Sequence, residues 1–214
     1  MAVYWNEFLA LALVHLLAVV APGPDFAVTV RQSVRYGRRA GALTALGIGA
    51  GISVHVLYTL LGVFTLMHAL PWLMSAVALA GALYLAYLGL LLIIQARGEV
   101  GEEPPQAQRA SKEVSGYKSF MLGFITNALN PKATLFFLAI FVTLVSPQTP
   151  LIIKGIYGIW MCLVNAGWFV LVSLVLTKES VRLRFLASKR WFDRVIGSVL
   201  LVFSLRLFWM VVAE

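Results

Sequence analysis

Long apolar segments separated by short polar ones dominate the pattern along this chain. No Asp, Glu, Lys or Arg occurs between residues 40 and 96, and that segment alone accommodates two membrane-spanning helices of about 20 residues each. A buried soluble core does not need charge-free segments of this length. The pattern predicts an all-α membrane protein with about six transmembrane helices, at residues 7–30, 40–67, 72–96, 119–146, 151–177 and 192–213.

Basic residues are distributed unevenly over the polar joints between these spans. Lysines and arginines cluster in the first, third and fifth joints, whereas the second and fourth joints contain only Lys154. By the positive-inside rule the odd joints are cytoplasmic, so we predict that both termini lie outside. The first span is preceded by Glu7 and by no basic residue, so the positively charged start of a signal peptide is missing. We therefore expect that the first span is not cleaved off.

The third joint, residues 97–118, is polar and contains Pro104 and Pro105, which predicts a flexible cytoplasmic linker. It divides the chain into a first three-helix repeat at 1–96 and a second at 119–214. Because each half has an odd number of spans, the two halves have opposite orientations in the membrane. The sequence therefore predicts two inverted repeats, as in many transporters.

Composition restricts the partners and cofactors. The chain is 61% hydrophobic and 12% charged, with a formal net charge of +8. Its basic residues flank spans instead of clustering on a soluble face, so we expect a lipid bilayer and no nucleic acid as partner. Cys162 is the single cysteine, which excludes an intrachain disulfide framework and a cysteine-rich metal site.

Two predicted spans are interrupted near their middle. The first contains Pro22-Gly23-Pro24-Asp25 and the fourth contains Asn130-Pro131-Lys132. Proline removes a backbone donor and clashes with the preceding helical turn. In a bilayer the carbonyls that are freed in this way need protein or water as partners, so such breaks mark a cavity.

Each interruption also carries the chemistry of a new helix start. Pro24 suits a first-turn position with Asp25 after it, and Asn130 suits a cap before Pro131. Half-helix N-termini attract anions, and Lys132 adds a positive charge beside one start while Asp25 adds a negative charge beside the other. We predict that these residues bind a small zwitterion: its carboxylate faces Lys132 and the Asn130 helix start, and its ammonium faces Asp25.

A simpler interpretation is that Asp25 and Lys132 pair with each other and brace the two halves. Each charge at the centre of a membrane helix costs roughly 2.5–3.5 kcal/mol on insertion scales, which is expensive for a brace alone. We favour binding. The two roles also overlap, because substrate or a proton is able to break an ion pair that holds a gate.

Other polar residues within spans are weaker candidates. Asn127 lies one turn before Asn130, and it either lines the same cavity or forms a hydrogen bond between two helices. Tyr84 is a candidate residue of the cavity wall. His15 and His55 suit proton transfer or metal binding, but packing is the simpler explanation. We expect the long side chain of Arg206 either to reach the membrane–water interface or to pair with Glu7.

Three functions therefore stay open from these residues. The first is a transporter of a small zwitterion, the second is a divalent metal exporter that uses His15 and His55, and the third is a non-transporting assembly subunit. We expect no enzyme and no cofactor, because the spans offer no nucleophile with a base and no metal triad. Small carriers of this size often pair, so a homodimer is compatible with the sequence.

The motifs in these spans also resemble a known family, the LysE-type translocators, which include lysine and threonine/homoserine exporters. The resemblance covers most of the chain. Its residues are Pro22-Gly23-Pro24-Asp25, Gly37-Arg38-Arg39-Ala40-Gly41, Gly47-Ile48, Gly51, His55, the segment 81–89, Gly123-Phe124, Asn127 and Asn130-Pro131-Lys132-Ala133.

The resemblance implies an exporter of amino acids or related small metabolites in the bacterial cytoplasmic membrane, driven by the proton gradient. It places the functional weight on the two proline motifs. As our own mechanistic hypothesis, we expect Asp25 to exchange the substrate amine for a proton. The mechanism expected from inverted repeats is alternating access around a site at the middle of the membrane.

Overall fold

A computed structural model of the chain describes residues 2–21, 23–63, 71–96 and 114–212. Pro22 and most of the predicted linker, residues 97–113, lie outside the described residues. Within the described ranges the chain is helical apart from short turns, and it contains no strand. The helices are α1 Ala2–Val20, α2 Pro24–Tyr36, α3 Arg38–Tyr58, α4 Pro71–Gln95, α5 Gly116–Ala128, α6 Pro131–Leu144, α7 Leu151–Val175 and α8 Glu179–Val212, and a π-helical segment Thr59–Val63 continues α3.

Both predicted helix breaks are present. The pair α1 and α2 bends by 52°, and the pair α5 and α6 bends by 56°. Gly23 caps α2 in an extended conformation with Pro24 after it, and Asn130 takes the same position before Pro131 at the start of α6. Proline at the first helical position has no N–H to satisfy, which is why the second half-helix begins there in each pair.

The helices are those of a multi-pass membrane protein. Arg38–Leu61 and Leu151–Val175 are each long and apolar enough to cross a bilayer, and each bent pair adds one further span if it is counted as one. Large apolar side chains such as Ile152, Leu163 and Trp209 are exposed, as lipid-facing positions are. The finer arrangement of six spans in two inverted repeats stays a prediction.

The last helix is longer than the predicted sixth span. We expected a polar joint up to residue 192, but α8 begins at Glu179 and continues without a break to Val212. Arg184, Arg190 and Arg194 are exposed on this helix, whereas Asp193 is fully buried. Basic side chains on an outward face do not interrupt a helix, so α8 extends beyond the predicted span into the charged stretch before it.

Glycines let α3 pack closely between α5 and α7. A Cβ atom on Gly47 would lie 2.0 Å from the Phe120 backbone oxygen, and one on Gly123 would lie 2.0 Å from the Thr44 oxygen. On another face of α3, a Cβ on Gly49 would lie 2.6 Å from the Ala166 Cβ. These small residues therefore allow close approach at both interfaces of α3.

The close contact at Gly123 is tested by substitution. Gly123→Ala places a methyl group against a backbone oxygen that cannot rotate away. We therefore expect the free energy of unfolding to fall by at least about 1–3 kcal/mol. Gly167→Ala is the matched control, because a Cβ there meets nothing within 4 Å. Heating of the detergent-purified variants followed by size-exclusion chromatography measures the difference. Equal melting of the two variants would contradict the packing assignment.

Candidate functional site

The two helix breaks meet around the carboxylate of Asp25. Asn127, in the last turn of α5, donates from Nδ2 to Asp25 Oδ2 at 2.9 Å, and Asn130 Nδ2 lies 3.3 Å from the same oxygen. Asn127 and Asn130 are almost completely buried. The break in the second half of the chain therefore supplies two amide donors to the acidic residue in the break of the first half.

Asn130 also caps α6, as its position before Pro131 predicted. Its Oδ1 accepts the Lys132 backbone N–H at 3.0 Å, and its carbonyl accepts the Thr134 N–H at 3.0 Å. One first-turn N–H that we expected to be open to an anion is thus already bonded. The start of α2 differs, because Gly23 has no side chain that caps its N–H groups.

The carbonyls that the breaks release find side-chain partners. Lys132 Nζ donates to the Ala21 oxygen at the end of α1 at 3.4 Å. The Asn127 oxygen, at the end of α5, accepts from His55 Nε2 at 2.9 Å and from the Asn130 N–H at 2.8 Å. Unpaired carbonyls are costly in a bilayer, so these contacts explain how two breaks persist at this depth.

Asp25 and Lys132 do not brace the halves by pairing directly. In the described part of the chain no ion pair joins them: the carboxylate bonds two amides and the ammonium bonds a carbonyl. They still interact electrostatically across the site. The simple ion-pair interpretation is therefore wrong for this conformation, and each charge is held by neutral groups that leave it open to a ligand.

Two cavities adjoin this arrangement. The smaller, of about 50 Å³, is lined by Asp25, Asn127, Asn130 and Lys132 and by apolar residues such as Phe136. The larger, of about 460 Å³, is lined mainly by apolar residues. The residues common to both are Ala18, Ala21, Gly23, Pro24 and Lys132.

Lys132 and the first break thus separate the two cavities. A Cβ on Gly23 would lie 3.3 Å from Lys132 Nζ, so glycine leaves room for the ammonium at this partition. The larger cavity has the size of a small-molecule site. Tyr84 lines it and donates from its hydroxyl to the Lys132 oxygen at 3.2 Å.

Some polar atoms of the small cavity lack partners in the described part of the structure. They are Asp25 Oδ1, Asn127 Oδ1 and His15 Nδ1, and all three residues line this cavity. Buried polar groups are nearly always bonded, and sites that bind a ligand are a common exception. Asn127 Oδ1 lies towards α3, where a Cβ on Gly51 would be 2.9 Å from it. The small cavity is therefore lined by a carboxylate with one unbonded oxygen, Asp25, and by the ammonium of Lys132.

The histidines occupy separate environments. His15 Nε2 lies 2.9 Å from Asn165 Nδ2, whereas His55 bonds the Asn127 carbonyl and lies 3.2 Å from the Tyr58 hydroxyl. Both rings pack against Phe137. Within the described residues no group of three His, Cys, Asp or Glu side chains comes together, so the metal-export alternative gains no support.

The structure brings together most of the predicted site residues. Six of them line the small cavity, and Tyr84 lines the adjoining larger one; Pro131 begins α6, and Pro22 lies outside the described residues. The six are Gly23, Pro24, Asp25, Asn127, Asn130 and Lys132.

Sequence reasoning missed Asn165 and Asp193. Asn165 looks like any polar residue of an apolar span, and Asp193 lies at the start of the predicted sixth span, beside charged residues of the fifth joint. Asp193 is fully buried and interacts electrostatically with Lys132. When residues 179–194 are placed on a helix, the arginines lie on the exposed face and Asp193 on the buried one. Placing these residues on a helix would therefore have identified Asp193.

Within the described ranges of the chain, Glu7 and Arg206 do not form the suggested ion pair. Glu7 accepts from the Ser146 N–H at 3.2 Å and from the Thr149 hydroxyl at 2.8 Å, in the turn between α6 and α7. Arg206 is exposed on α8, as a side chain that reaches the interface would be.

A helical multi-pass membrane protein in which two broken helices enclose a buried, charged cavity has the structure of a membrane transporter. The chain belongs to the LysE type translocator family, whose profile matches residues 16–210. The chain is therefore a member of a family of membrane transporters.

Individual relatives cover nearly the whole chain. The threonine efflux protein of Escherichia coli K12 is 28% identical over 203 residues, which are 94% of this chain and 96% of that protein. The threonine efflux protein of Salmonella typhi is 27% identical over 202 residues, with the same coverage. An uncharacterized membrane protein, YahN of Escherichia coli K12, is 30% identical over 188 residues, 87% of this chain and 82% of the relative. No solved structure matches.

Proposed function

We propose that this protein exports a small zwitterionic amino acid, of the size of threonine, across the bacterial cytoplasmic membrane in exchange for protons. The observation that carries the proposal is the convergence of Asp25, Asn127, Asn130 and Lys132 on one buried cavity at two helix breaks. The names of the threonine efflux relatives support the choice of an amino acid.

The opposite ends of a zwitterion match the two charges. An ammonium group donates a hydrogen bond to the unbonded Oδ1 atom of Asp25. A carboxylate accepts from Lys132 Nζ, which lies beside the uncapped start of α2. Charge-assisted hydrogen bonds of this kind are roughly twice as strong as neutral ones, so both ends of the substrate contribute to binding.

Asp25 is the proposed residue of proton coupling. A proton and a substrate ammonium compete for the same carboxylate, so binding of one releases the other. The amide donors Asn127 and Asn130 hold Oδ2 in either case and leave Oδ1 for the exchange. One carboxylate thereby links the outward movement of substrate to the inward movement of protons.

Alternating access is the proposed conformational cycle, with a first repeat at 1–96, a linker at 97–118, a second repeat at 119–214 and both termini outside. Helices α3 and α7 pack on each other, as do α4 and α8, and each pair joins one helix of the first half to one helix of the second. Gly89 and Gly197 make the second contact especially close: a Cβ on either would lie 2.7 Å from the other's backbone oxygen.

Reconstitution tests the proposal. Proteoliposomes loaded with radiolabelled threonine are expected to release it faster when the outside is made acidic, because inward protons then drive export. A comparison of exported metabolites from cells with and without the protein names the substrate independently. Release that ignores the proton gradient would contradict antiport, and no transported metabolite would favour an assembly subunit.

A further inference from the structure

His55 on α3 is a buried ionisable residue that the proposed function does not use. It is 0% exposed, and its ring lies beside the break between α5 and α6. Nε2 is 2.9 Å from the Asn127 oxygen in the last turn of α5, and Nδ1 is 3.2 Å from the Tyr58 hydroxyl. That hydroxyl is in turn 3.1 Å from the Thr134 oxygen in the first turn of α6. His55 and Tyr58 together therefore connect α3 to both halves of one broken helix.

These three contacts do not all form as hydrogen bonds while the ring is neutral. A carbonyl oxygen only accepts, so Nε2 carries a proton in its contact with Asn127. A neutral imidazole has a single N–H, so Nδ1 then accepts from the Tyr58 hydroxyl. Tyr58 has one hydroxyl proton, and giving it to Nδ1 leaves none for the Thr134 oxygen. The link from α3 to α6 is therefore complete only when Nδ1 is protonated as well and the ring is an imidazolium.

The surroundings of the ring favour this charged form in two ways. Asp25 interacts electrostatically with His55, and the Phe137 ring stacks on it with centroids 5.5 Å apart and an interplanar angle of 24°. A cation within about 6 Å of an aromatic centroid is attracted to the face of the ring. Burial opposes the charge. The balance between the two forms therefore depends on the charge at Asp25.

The ionisable groups around His55 come from four helices. Asp25 on α2 is the charged group that acts on the ring, and Tyr58 lies on the same helix as His55. His15 on α1 and Lys132 on α6 line the small cavity together with Asp25, while α5 and α7 contribute side-chain amides, which do not ionise. Because the proposed exchange changes the charge at Asp25, it also changes the field at His55.

Asn127 joins the two ionisable residues. Its backbone oxygen accepts from His55, and its side-chain Nδ2 donates to Asp25 Oδ2 at 2.9 Å. His55 is not among the described residues that line the small cavity. It therefore acts on a bound ligand through Asn127 and through the electrostatic interaction with Asp25, and not by direct contact.

We propose that His55 is a positioning residue that takes up a second proton in the exchange and, when it is charged, locks the break between α5 and α6 through Tyr58. This proposal rests on the proposed function. A substrate ammonium at Asp25 brings positive charge close to the imidazolium, so the Nδ1 proton passes to water on the side to which the site is open. The Tyr58 hydroxyl then turns from Thr134 to Nδ1. Substrate binding thereby removes the link between α3 and α6 and allows the two half-helices to change their angle.

Nitrogen NMR of the ¹⁵N-histidine-labelled full-length protein in lipid bilayers tests the charge of the ring directly. The chain has three histidines, and His55→Gln identifies the His55 signals by their loss. Without substrate, we expect both ring nitrogens to be protonated at about pH 5 and only Nε2 at about pH 8, because the link needs the second proton. Saturating threonine at the lower pH should remove the Nδ1 proton. A ring with a single N–H throughout this pH range would overturn the proposal.

Tyr58→Phe tests whether the proton acts through the hydroxyl. The variant keeps the aromatic ring, so His55 still titrates, but nothing joins α3 to Thr134. The readout is the ratio of threonine release from proteoliposomes with and without an imposed pH gradient. We expect this ratio to fall by about 2- to 10-fold, as the loss of one hydrogen bond predicts. A merely structural role of Tyr58 lowers both rates alike and leaves the ratio unchanged, which would overturn the link.

Tyr157→Phe is the matched control for the lost hydroxyl. Tyr157 is also buried and donates to a backbone carbonyl, that of Tyr4 at 2.7 Å, but it lines neither cavity. We expect its ratio to equal that of the wild type. A ratio that falls equally in Tyr157→Phe and Tyr58→Phe would contradict a specific role of the contact with Thr134. Size-exclusion profiles establish that the compared variants are folded.

The wild-type protein separates this proposal from the one on which it rests, and its NMR titration needs no folded variant. A wild type that exports threonine in response to the proton gradient, while the His55 ring stays neutral, overturns the lock and leaves antiport through Asp25 intact. A wild type whose His55 ring titrates as expected but which transports no amino acid overturns the proposed function. The proton-dependent link between α3 and α6 is retained in that case.

Discussion

Asp25→Asn is expected to abolish proton-driven export while the protein stays folded and inserted. The asparagine oxygen still accepts from Asn127 and Asn130, so the contacts that join the two helix breaks persist. An amide, however, neither exchanges a proton nor carries the charge that holds an ammonium group. Loss of one partner of a buried charge pair typically costs 2–5 kcal/mol, so we expect at least a 30-fold fall in transport.

Glu7→Gln is the matched control for this variant. Glu7 makes the same kind of contact, accepting from Ser146 and Thr149, but it lines neither cavity. Threonine release from proteoliposomes is measured with and without an imposed pH gradient, at equal protein content. A pH-driven rate in Asp25→Asn equal to that of Glu7→Gln would exclude Asp25 as the coupling residue.

Lys132→Met is expected to raise the half-saturation concentration for substrate by about 10- to 100-fold, because the ammonium that binds the carboxylate is lost. Methionine keeps the apolar stem in the partition between the two cavities. The Ala21 carbonyl also loses its donor, which costs about 1–3 kcal/mol of stability. The variant should therefore fold but melt at a lower temperature than the wild type.

Lys154→Met separates the two effects. Lys154 is also buried and also donates to a backbone carbonyl, that of Pro147 at 3.0 Å, but it lies away from both cavities. The readout is the preference for threonine over an analogue with an amide in place of its carboxylate. This preference should fall in Lys132→Met and persist in Lys154→Met. Normal affinity in Lys132→Met would remove Lys132 from the carboxylate site.

Much of the site follows from local sequence. A helix start depends on residues within one turn: a proline at the first turn, an asparagine or glycine before it and a charged residue after it. The sequence therefore indicated both breaks and both helix starts, at Gly23-Pro24-Asp25 and Asn130-Pro131-Lys132. The extension of α8 back to Glu179, through the charged stretch before residue 192, did not follow from the same local approach. A helix start there depends on which face each side chain presents, and linear charge content does not show that.

The sequence by itself determined that this is a helical membrane protein with two broken helices, because apolar length and proline chemistry act locally. Only the tertiary structure decided which groups meet. His55 bonds the Asn127 carbonyl across 72 positions and Asn165 reaches His15 across 150, while Asp25 bonds amides instead of Lys132. Such pairs depend on how each helix is rotated and how closely it approaches its neighbours, and the glycine contacts of α3 with α5 and α7 set that approach.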